Sequence, residues 1–260
     1  MAKNIILITG ASSGIGREFA FFVDPYFKKI DEIWLVARNE EKLAETARAL
    51  VVHKTRIFSL DITKEAQIER LVNTLSEENA CIRILINCAG YGLMGDFNKI
   101  DPKGLNGMVR LNCEALTNVT RCCLPFMMRG SRIIQLASSA AFLPQPYFAV
   151  YAATKSYVHS LSQALYEELR PKGIYVTSVC PGPVDTPFFE IAEEYGETLS
   201  IKKLTMVKPE KVVSRALRDS YDKRPKSVCS FLIQMFEVLA KIVPHRMILG
   251  MLRFVKKIDK

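Results

Sequence analysis

The segment Thr9-Gly10-Ala11-Ser12-Ser13-Gly14-Ile15-Gly16 decides the fold. A short β-branched run, Asn4–Thr9, leads into it, and a helical pattern, Arg17–Val23, leads out. Such an apolar run suits a strand buried on both faces. Glycines at a strand-to-helix switch let the backbone turn tightly and approach a pyrophosphate. The phosphates then rest on the unpaired N–H groups of the helix N-terminus. The flanking strand and helix give the spacing its meaning, because the same glycines elsewhere would be a plain turn.

The alternation continues outward from that segment. Ile33–Ala37, Thr55–Leu60, Arg83–Ile86, Arg132–Ala137 and Ile174–Val179 have the character of short buried strands. Between them lie the helical stretches Glu40–Leu50, Lys64–Ser76 and Gly104–Met127, and a helix from Ala149 that runs without Pro or Gly to Arg170. This order predicts a doubly wound α/β fold, with a mainly parallel sheet and helices on both faces. Asp24-Pro25 should break or kink the first helix, and Tyr26–Ile30 makes a long connection to the second strand.

A chain of 260 residues is enough for one domain with a large core. It is 49% hydrophobic and 24% charged, the balance of a soluble globular protein. The net charge of +9 is scattered, so no nucleic-acid groove is expected. The 7 cysteines form no C-x-x-C pair, which fits free thiols in a reducing compartment. His53, His159 and His245 have no metal-ligand spacing, and no metal site is expected. The N-terminus lacks the pattern of a cleaved leader, and no stretch offers the roughly 20 apolar residues of a spanning helix. A cytoplasmic location is expected.

Chemistry enters at Tyr151-Ala152-Ala153-Thr154-Lys155. Val158, Leu161, Leu165 and Leu169 recur at helical spacing, so Tyr151 and Lys155 share a helix face. A free phenol titrates near pKa ~10 and is a poor acid or base at neutral pH. A neighbouring ammonium is expected to favour the phenolate and lower that value. Tyr151 would then trade a proton with the oxygen of an alcohol or a developing alkoxide. At the end of the second strand, Arg38 stands where a dinucleotide fold puts the adenosine ribose. An acidic residue there accepts from a 2′-hydroxyl, whereas an arginine pairs with a 2′-phosphate, so NADP(H) is preferred over NAD(H).

Thr-Gly-x-x-x-Gly-x-Gly at 9–16 resembles the nucleotide signature of the classical short-chain dehydrogenases/reductases, a Rossmann-type family. The resemblance runs from Asn4 to about Thr186 and implies a role for each matching position. Gly10, Ser12, Ser13, Gly14, Ile15 and Gly16 would hold the nucleotide. Ser13 occupies a position that is often basic in the family, which leaves Arg38 as the single support for a 2′-phosphate. Asp61-Ile62 resembles the pair that contacts adenine, and Asp61 is equally placed to N-cap the helix Lys64–Ser76. Asn87-Cys88-Ala89-Gly90 resembles Asn-x-Ala-Gly, in which the small residues Ala89 and Gly90 lie against the cofactor and Asn87 fixes the strand end. Asn112 resembles the residue that holds a water behind the active-site lysine. Ser138, thirteen residues before Tyr151, is implied as the catalytic serine in place of Ser139. Tyr147 and Tyr157 lack a lysine four residues on. Pro181, Gly182, Val184 and Thr186 resemble Pro-Gly-x-Val-x-Thr, which meets the nicotinamide carboxamide.

The expected activity is reversible NADP(H)-dependent reduction of a carbonyl to a secondary alcohol. Asn112, Ser138, Tyr151 and Lys155 form the catalytic set. Within one domain of 1–260, residues 1–186 are the nucleotide-binding and catalytic core and 187–210 a substrate lid, with Phe188–Val207 its mixed-charge centre. Ser227–Cys229 is expected as a last strand. The apolar extension, 229–260, splits at Pro244 into helical segments Phe231–Val243 and Arg246–Val255, with Lys241, Arg246, Arg253, Lys256 and Lys257 on its polar side. That stripe suits a wall of the substrate site, a patch on a membrane surface, or ordinary core or subunit interface. An apolar substrate such as a steroid or fatty acyl ketone is expected, and the family implies a homodimer or homotetramer. The alternatives are a non-catalytic NADP(H) sensor or scaffold, against which the intact Ser138–Tyr151–Lys155 set argues, and a peripheral membrane lipid reductase.

Overall fold

The computed structural model describes residues 2–196 and 206–250. Its strands are β1 Lys3–Thr9, β2 Glu32–Ala37, β3 Lys54–Ser59, β4 Ala80–Asn87, β5 Arg132–Leu136, β6 Tyr175–Val179 and β7 Lys226–Ser227. They form one parallel sheet in the order β3-β2-β1-β4-β5-β6-β7. The order reverses between β1 and β4, and it is beyond the carboxyl ends at such a reversal that ligands bind in open α/β sheets.

Strand alternation explains why β1 is apolar at successive positions. Ile5 and Leu7 face a core built with α3 (Glu65–Glu77), α5 (Leu116–Cys123) and α6 (Ala149–Leu169). Ile6 and Ile8 face a second core on the other side, against α1 (Gly14–Tyr26), α2 (Glu40–Arg48) and α8 (Pro209–Tyr221). All four are fully buried, and each such side chain contributes about 1.5–3 kcal/mol by leaving water. The central strands are therefore sandwiched as the alternation of elements predicts.

Four sequence expectations change. Helix α1 is not stopped by Asp24-Pro25 but runs to Tyr26. Pro25 lies in the last turn, where a missing N–H removes one bond, and Phe27 N–H still bonds Val23 O at 3.3 Å. Buried Asp24 fixes this end. It accepts from the N–H groups of Val51 (2.9 Å), Val52 (3.0 Å) and His53 (2.9 Å), and meets the His53 ring at 3.1 Å. Burial alone would raise its carboxyl, but these donors hold it below the usual range. Second, the single helix expected over 104–127 is a run of different helices. It comprises α4 Pro102–Val109, a π-helical stretch Arg110–Ala115, α5, and a 3-10 turn Leu124–Phe126. Asp101 caps its start by accepting from Lys103 N–H at 3.1 Å, two residues before the expected Gly104. Third, α3 begins at Glu65 with Lys64 at the cap position, so Asp61 does not cap it. The Asp61 carboxylate turns to Thr63 N–H (3.0 Å) and Thr63 Oγ1 (2.7 Å) instead. Fourth, the last strand lies at Lys226–Ser227, slightly before the expected Ser227–Cys229.

Past β6 come α7 (Phe188–Ala192) and, after β7, α9 (Phe231–Ile242), followed by a further helical turn at 245–250. Part of the expected lid (197–205) and part of the expected second tail segment (251–255) lie outside the described residues.

Candidate active site

A cleft of about 1140 Å³ opens at the carboxyl ends of the strands. That exceeds the roughly 300–1,000 Å³ of an ordinary ligand pocket and leaves space for a dinucleotide and a second molecule. Gly10, Ser12, Ser13, Gly14, Ile15 and Gly16 line one end of it. Gly10 has φ +70°, and a Cβ there would sit 2.7 Å from Ala89 N, so only glycine lets the β1 and β4 ends close together. Ser13 precedes α1 in extended backbone and makes no side-chain cap. The first turn of α1 thus presents its N–H groups to the cleft, with no acidic side chain in that turn. This cradle fits a pyrophosphate.

At the end of β2, Arg38 lines the cleft, and so does Lys42, one turn into α2. Asn39 caps that helix by accepting from Lys42 N–H at 2.8 Å. Lys42 adds a second cation to this end of the cleft, where Ser13 supplies none. Its signal was a basic residue one helical turn past Arg38. Asp61 and Ile62 stand on the same wall. Burial would raise the Asp61 carboxyl, but the Thr63 hydroxyl and N–H and the charges of Arg38 and Lys64 keep it lowered and ionised.

Of the β4 motif, Ala89 and Gly90 line the cleft, but Asn87 does not. Asn87 is buried behind it, with Nδ2 donating to Thr120 Oγ1 (3.0 Å) and Gln135 Oε1 (3.1 Å). Gln135 in turn donates to Thr120 Oγ1 at 3.0 Å. Asn87 ties β4, β5 and α5 together beneath the site. Asn112 also lies behind the wall, fully buried in the π-helical stretch. Its Nδ2 donates to Tyr91 O (2.9 Å) and Thr154 Oγ1 (3.0 Å), while its Oδ1 accepts from Tyr91 N–H (3.1 Å). Both amide protons are spent, so only the second lone pair of Oδ1 remains for a proton relay through this side chain. A Cβ at Gly90 would lie 2.9 Å from that Oδ1 and 3.5 Å from Lys155 Nζ, so the two groups adjoin.

Ser138, Tyr151 and Lys155 meet on the central wall. Ser138 Oγ accepts from Ala140 N–H at 3.1 Å, which fixes its rotamer at the end of β5. Ser139 also lines the cleft, with its N–H donated to Pro181 O at 2.8 Å. Tyr151 is clamped by aromatic rings. Phe148 stacks at 4.2 Å between centroids, and Phe188 lies at 5.4 Å. The ammonium of Lys155 stands 5.6 Å from the centre of the Tyr151 ring and donates to Leu136 O at 2.7 Å. Tyr147 and Tyr157 are both substantially exposed and do not line the cleft.

The charge balance runs against the expectation for this pair. Burial pushes the Tyr151 phenol up to about 12, against a hydrogen bond with Ser138 that pulls it down. Burial likewise pushes Lys155 down to about 8, against the nearby thiols of Cys88, Cys113 and Cys180. A low-dielectric wall penalises both charged forms, and the lysine hydrogen bond goes to a carbonyl instead of the phenol. Tyr151 is therefore a neutral donor at pH 7 and not a phenolate.

Pro181, Gly182, Val184 and Thr186 follow β6 along the cleft. The far end is mainly apolar, walled by Met94, Phe148, Phe188 and Phe189 and by Ile233 and Phe236 of α9, with Gln145 and Glu190 as polar lining residues. These residues come from four separate stretches and share no spacing, so the sequence shows only the lid, which carries Phe188 and Phe189, and the C-terminal stripe.

Residues 4–195 match the family model of short chain dehydrogenases. An uncharacterized oxidoreductase of Staphylococcus epidermidis is 34% identical over 201 residues, covering 75% of this chain and 84% of that protein. A short chain dehydrogenase/reductase from Burkholderia phymatum, solved with NAD, superposes with TM-score 0.79 at 22% identity over 92% of each chain. A short-chain dehydrogenase from Sphingobium yanoikuyae, solved with NADPH, gives 0.76 at 27% identity, over 93% of this chain and 96% of its own.

Proposed function

The chain belongs to the short-chain dehydrogenase family, NAD(P)-dependent oxidoreductases of CH–OH groups, and we propose that it reduces the carbonyl of an apolar substrate to a secondary alcohol with NADPH. The observation that carries this is the neutral phenol of Tyr151, clamped by Phe148 and Phe188 and set beside Lys155 on the wall that Ser138 also lines. A carbonyl taking up hydride needs a proton donor at its oxygen, and a phenol that keeps its proton at pH 7 is one. Ser138 holds that oxygen beside Tyr151 and shares the developing negative charge. Lys155, 5.6 Å from the ring centre, stabilises the phenolate that remains after proton donation, and its remaining N–H donors are available to a ribose hydroxyl. Asn112 is a positioning residue, locking α6 to the Tyr91 loop through Thr154. The bound reduced nicotinamide supplies the hydride, and that chemistry is its own.

Arg38 and Lys42 on the ribose wall support a preference for the 2′-phosphate of NADPH. The aromatic far end supports an apolar ketone, with steroids and fatty acyl ketones the first classes to try. We read 187–210 as the substrate lid and 229–260 as an apolar extension, of which α9 adds Ile233 and Phe236 to the substrate wall. Val109 and Tyr157, both exposed beside the π-helical stretch and on α6, support a homodimer or homotetramer. Free thiols support a cytoplasmic location, and no helix among the described residues is long and apolar enough to cross a membrane. The test is a turnover assay with NADPH and NADH against a ketone panel. NADPH-dependent loss of absorbance with an apolar ketone supports the proposal, and tight NADPH binding with no turnover on any carbonyl would sink it in favour of a sensor.

A further inference from the structure

Helix α9 has two opposed faces. Ile233 and Phe236 turn inward and line the cleft, and Ala240 packs with Leu143 and Ile248. The outward stripe is Phe231, Leu232, Met235, Val238, Leu239 and Ile242, each between 49% and 76% exposed. At 3.6 residues per turn these six cover an arc of about 120° that contains no polar residue. A surface helix ordinarily turns polar residues to water, and an apolar arc of this size marks a surface that is covered in use.

The rim is cationic. From Ser227 to Gly250 the only acidic residue is Glu237. It is buried and holds Lys226 (2.5 Å) and Lys241 (2.9 Å), two lysines to one carboxylate. Arg246 is exposed and makes no ion pair among the described residues. The outer surface of this end therefore combines apolar side chains with cations and lacks an exposed carboxylate among the described residues.

We propose that the outward stripe of α9 docks on an anionic lipid surface, with its apolar arc at the acyl-chain boundary and the flanking cations at the phosphates. This is the composition of an interfacial helix. A second copy of the chain suits the stripe less well, because self-pairing would bring together two cationic rims, Lys241 and Arg246 from each copy, with no exposed acid on the described face to answer them. Lipid phosphates supply that missing charge. Ile233 and Phe236 face the cleft from the same helix, so docking brings the cleft beside the bilayer, where an apolar ketone is concentrated. That last step rests on the apolar-substrate proposal above, whereas the docking itself does not.

The test is co-sedimentation of the full chain with vesicles of phosphatidylglycerol and phosphatidylcholine, or of phosphatidylcholine alone, at low and high salt. The protein is expected to sediment with the anionic vesicles, and the bound fraction to fall about tenfold on neutral vesicles or at high salt. A double variant, Met235→Glu with Leu239→Glu, is expected to lose the binding while its NADPH fluorescence titration is unchanged, since neither residue lines the cleft. Wild-type protein that stays in the supernatant with anionic vesicles overturns the proposal. So does light scattering that finds a wild-type dimer which the double variant splits, because a second copy then covers the stripe. Unchanged NADPH binding in either case separates this failure from failure of the oxidoreductase proposal.

Discussion

The two ends of the cleft are built differently. The nucleotide end is made of backbone: a glycine turn, a helix N-terminus and the loops beyond β4 and β6, with Arg38 and Lys42 as its cations. The substrate end is made of side chains from distant segments, Met94, Phe148, Phe188 and Phe236 among them, the last from a helix near the C-terminal end of the chain. Backbone geometry restricts residue type at fixed offsets and leaves a spacing in the sequence. A wall assembled by tertiary packing asks only for bulk and leaves none. The first end therefore specifies a cofactor class, and the second specifies little beyond apolarity. Tyr151, Ser138 and Lys155 lie where the two ends meet.

The largest expected effect lies at that junction. Tyr151→Phe removes one hydroxyl and keeps the ring clamped by Phe148 and Phe188. Turnover is expected to fall roughly a thousandfold, within the range of a lost general acid. NADPH binding, which draws on the glycine turn, is expected to hold within about threefold by fluorescence titration. Near-normal turnover in this variant would break the division, because the chemistry would then lie elsewhere.

How much was legible follows the same division. The order of strands and helices, the turn at Gly10 and the Tyr151–Lys155 pairing could be read because each depends on local periodicity or on a forced conformation. The π-helical stretch at Arg110–Ala115 was not legible, since it reads as continuous helix and differs only in which carbonyl each N–H meets. The Asp24 anchor was hidden too. Its partners are backbone N–H groups of Val51, Val52 and His53, which any sequence supplies. Asn87 and Asn112 could be picked out as residues, but not the partners that hold them behind the cleft wall, because those come from β5, α5, α6 and the Tyr91 loop. The direction of the Tyr151 shift failed for a similar reason: helical spacing reports a neighbouring charge but not the burial that outweighs it.

Burial gives the pH dependence its sign. Lys155 is pushed down to about 8, so its ammonium is fully present below that pH and is lost as pH rises through it. The phenolate formed during reduction then loses its stabilising charge. The rate of carbonyl reduction at saturating substrate is expected to fall by up to about tenfold per pH unit above 8. Alcohol oxidation needs the phenol deprotonated and the ammonium in place, so with Tyr151 held up at about 12 its rate is expected to climb to about pH 8 and level off above it, where loss of the ammonium offsets the gain in phenolate. Initial rates in both directions from pH 6 to 10, with pH as the varied condition, check this. A reduction rate that stays level to pH 10 would remove Lys155 from the proton step.

The nucleotide end has a smaller handle. Arg38 and Lys42 stand exposed on the wall beside Asp61 and are screened by water. Replacing both with alanine is expected to weaken NADPH by about tenfold and leave NADH within about twofold. The single Arg38→Ala variant should show part of that loss, because Lys42 remains. Equal weakening of both nucleotides would mean that the pair supports the loop and does not read the phosphate.

The smallest effect is expected at the substrate end, and there it discriminates most finely. Phe236 lines the cleft from α9 and packs beside Leu143 and Ala240. Truncation to alanine removes part of an apolar wall that substrate and transition state touch alike, so it is uniform binding that should suffer. KM for an apolar ketone is expected to rise about three- to tenfold with kcat little changed, while NADPH affinity stays the same. A small water-soluble ketone that does not reach α9 should show no change at all. If instead kcat falls for both ketones, α9 is supporting the Ser138 turn beneath it, and the boundary between the two ends lies nearer the catalytic residues than the cleft walls suggest.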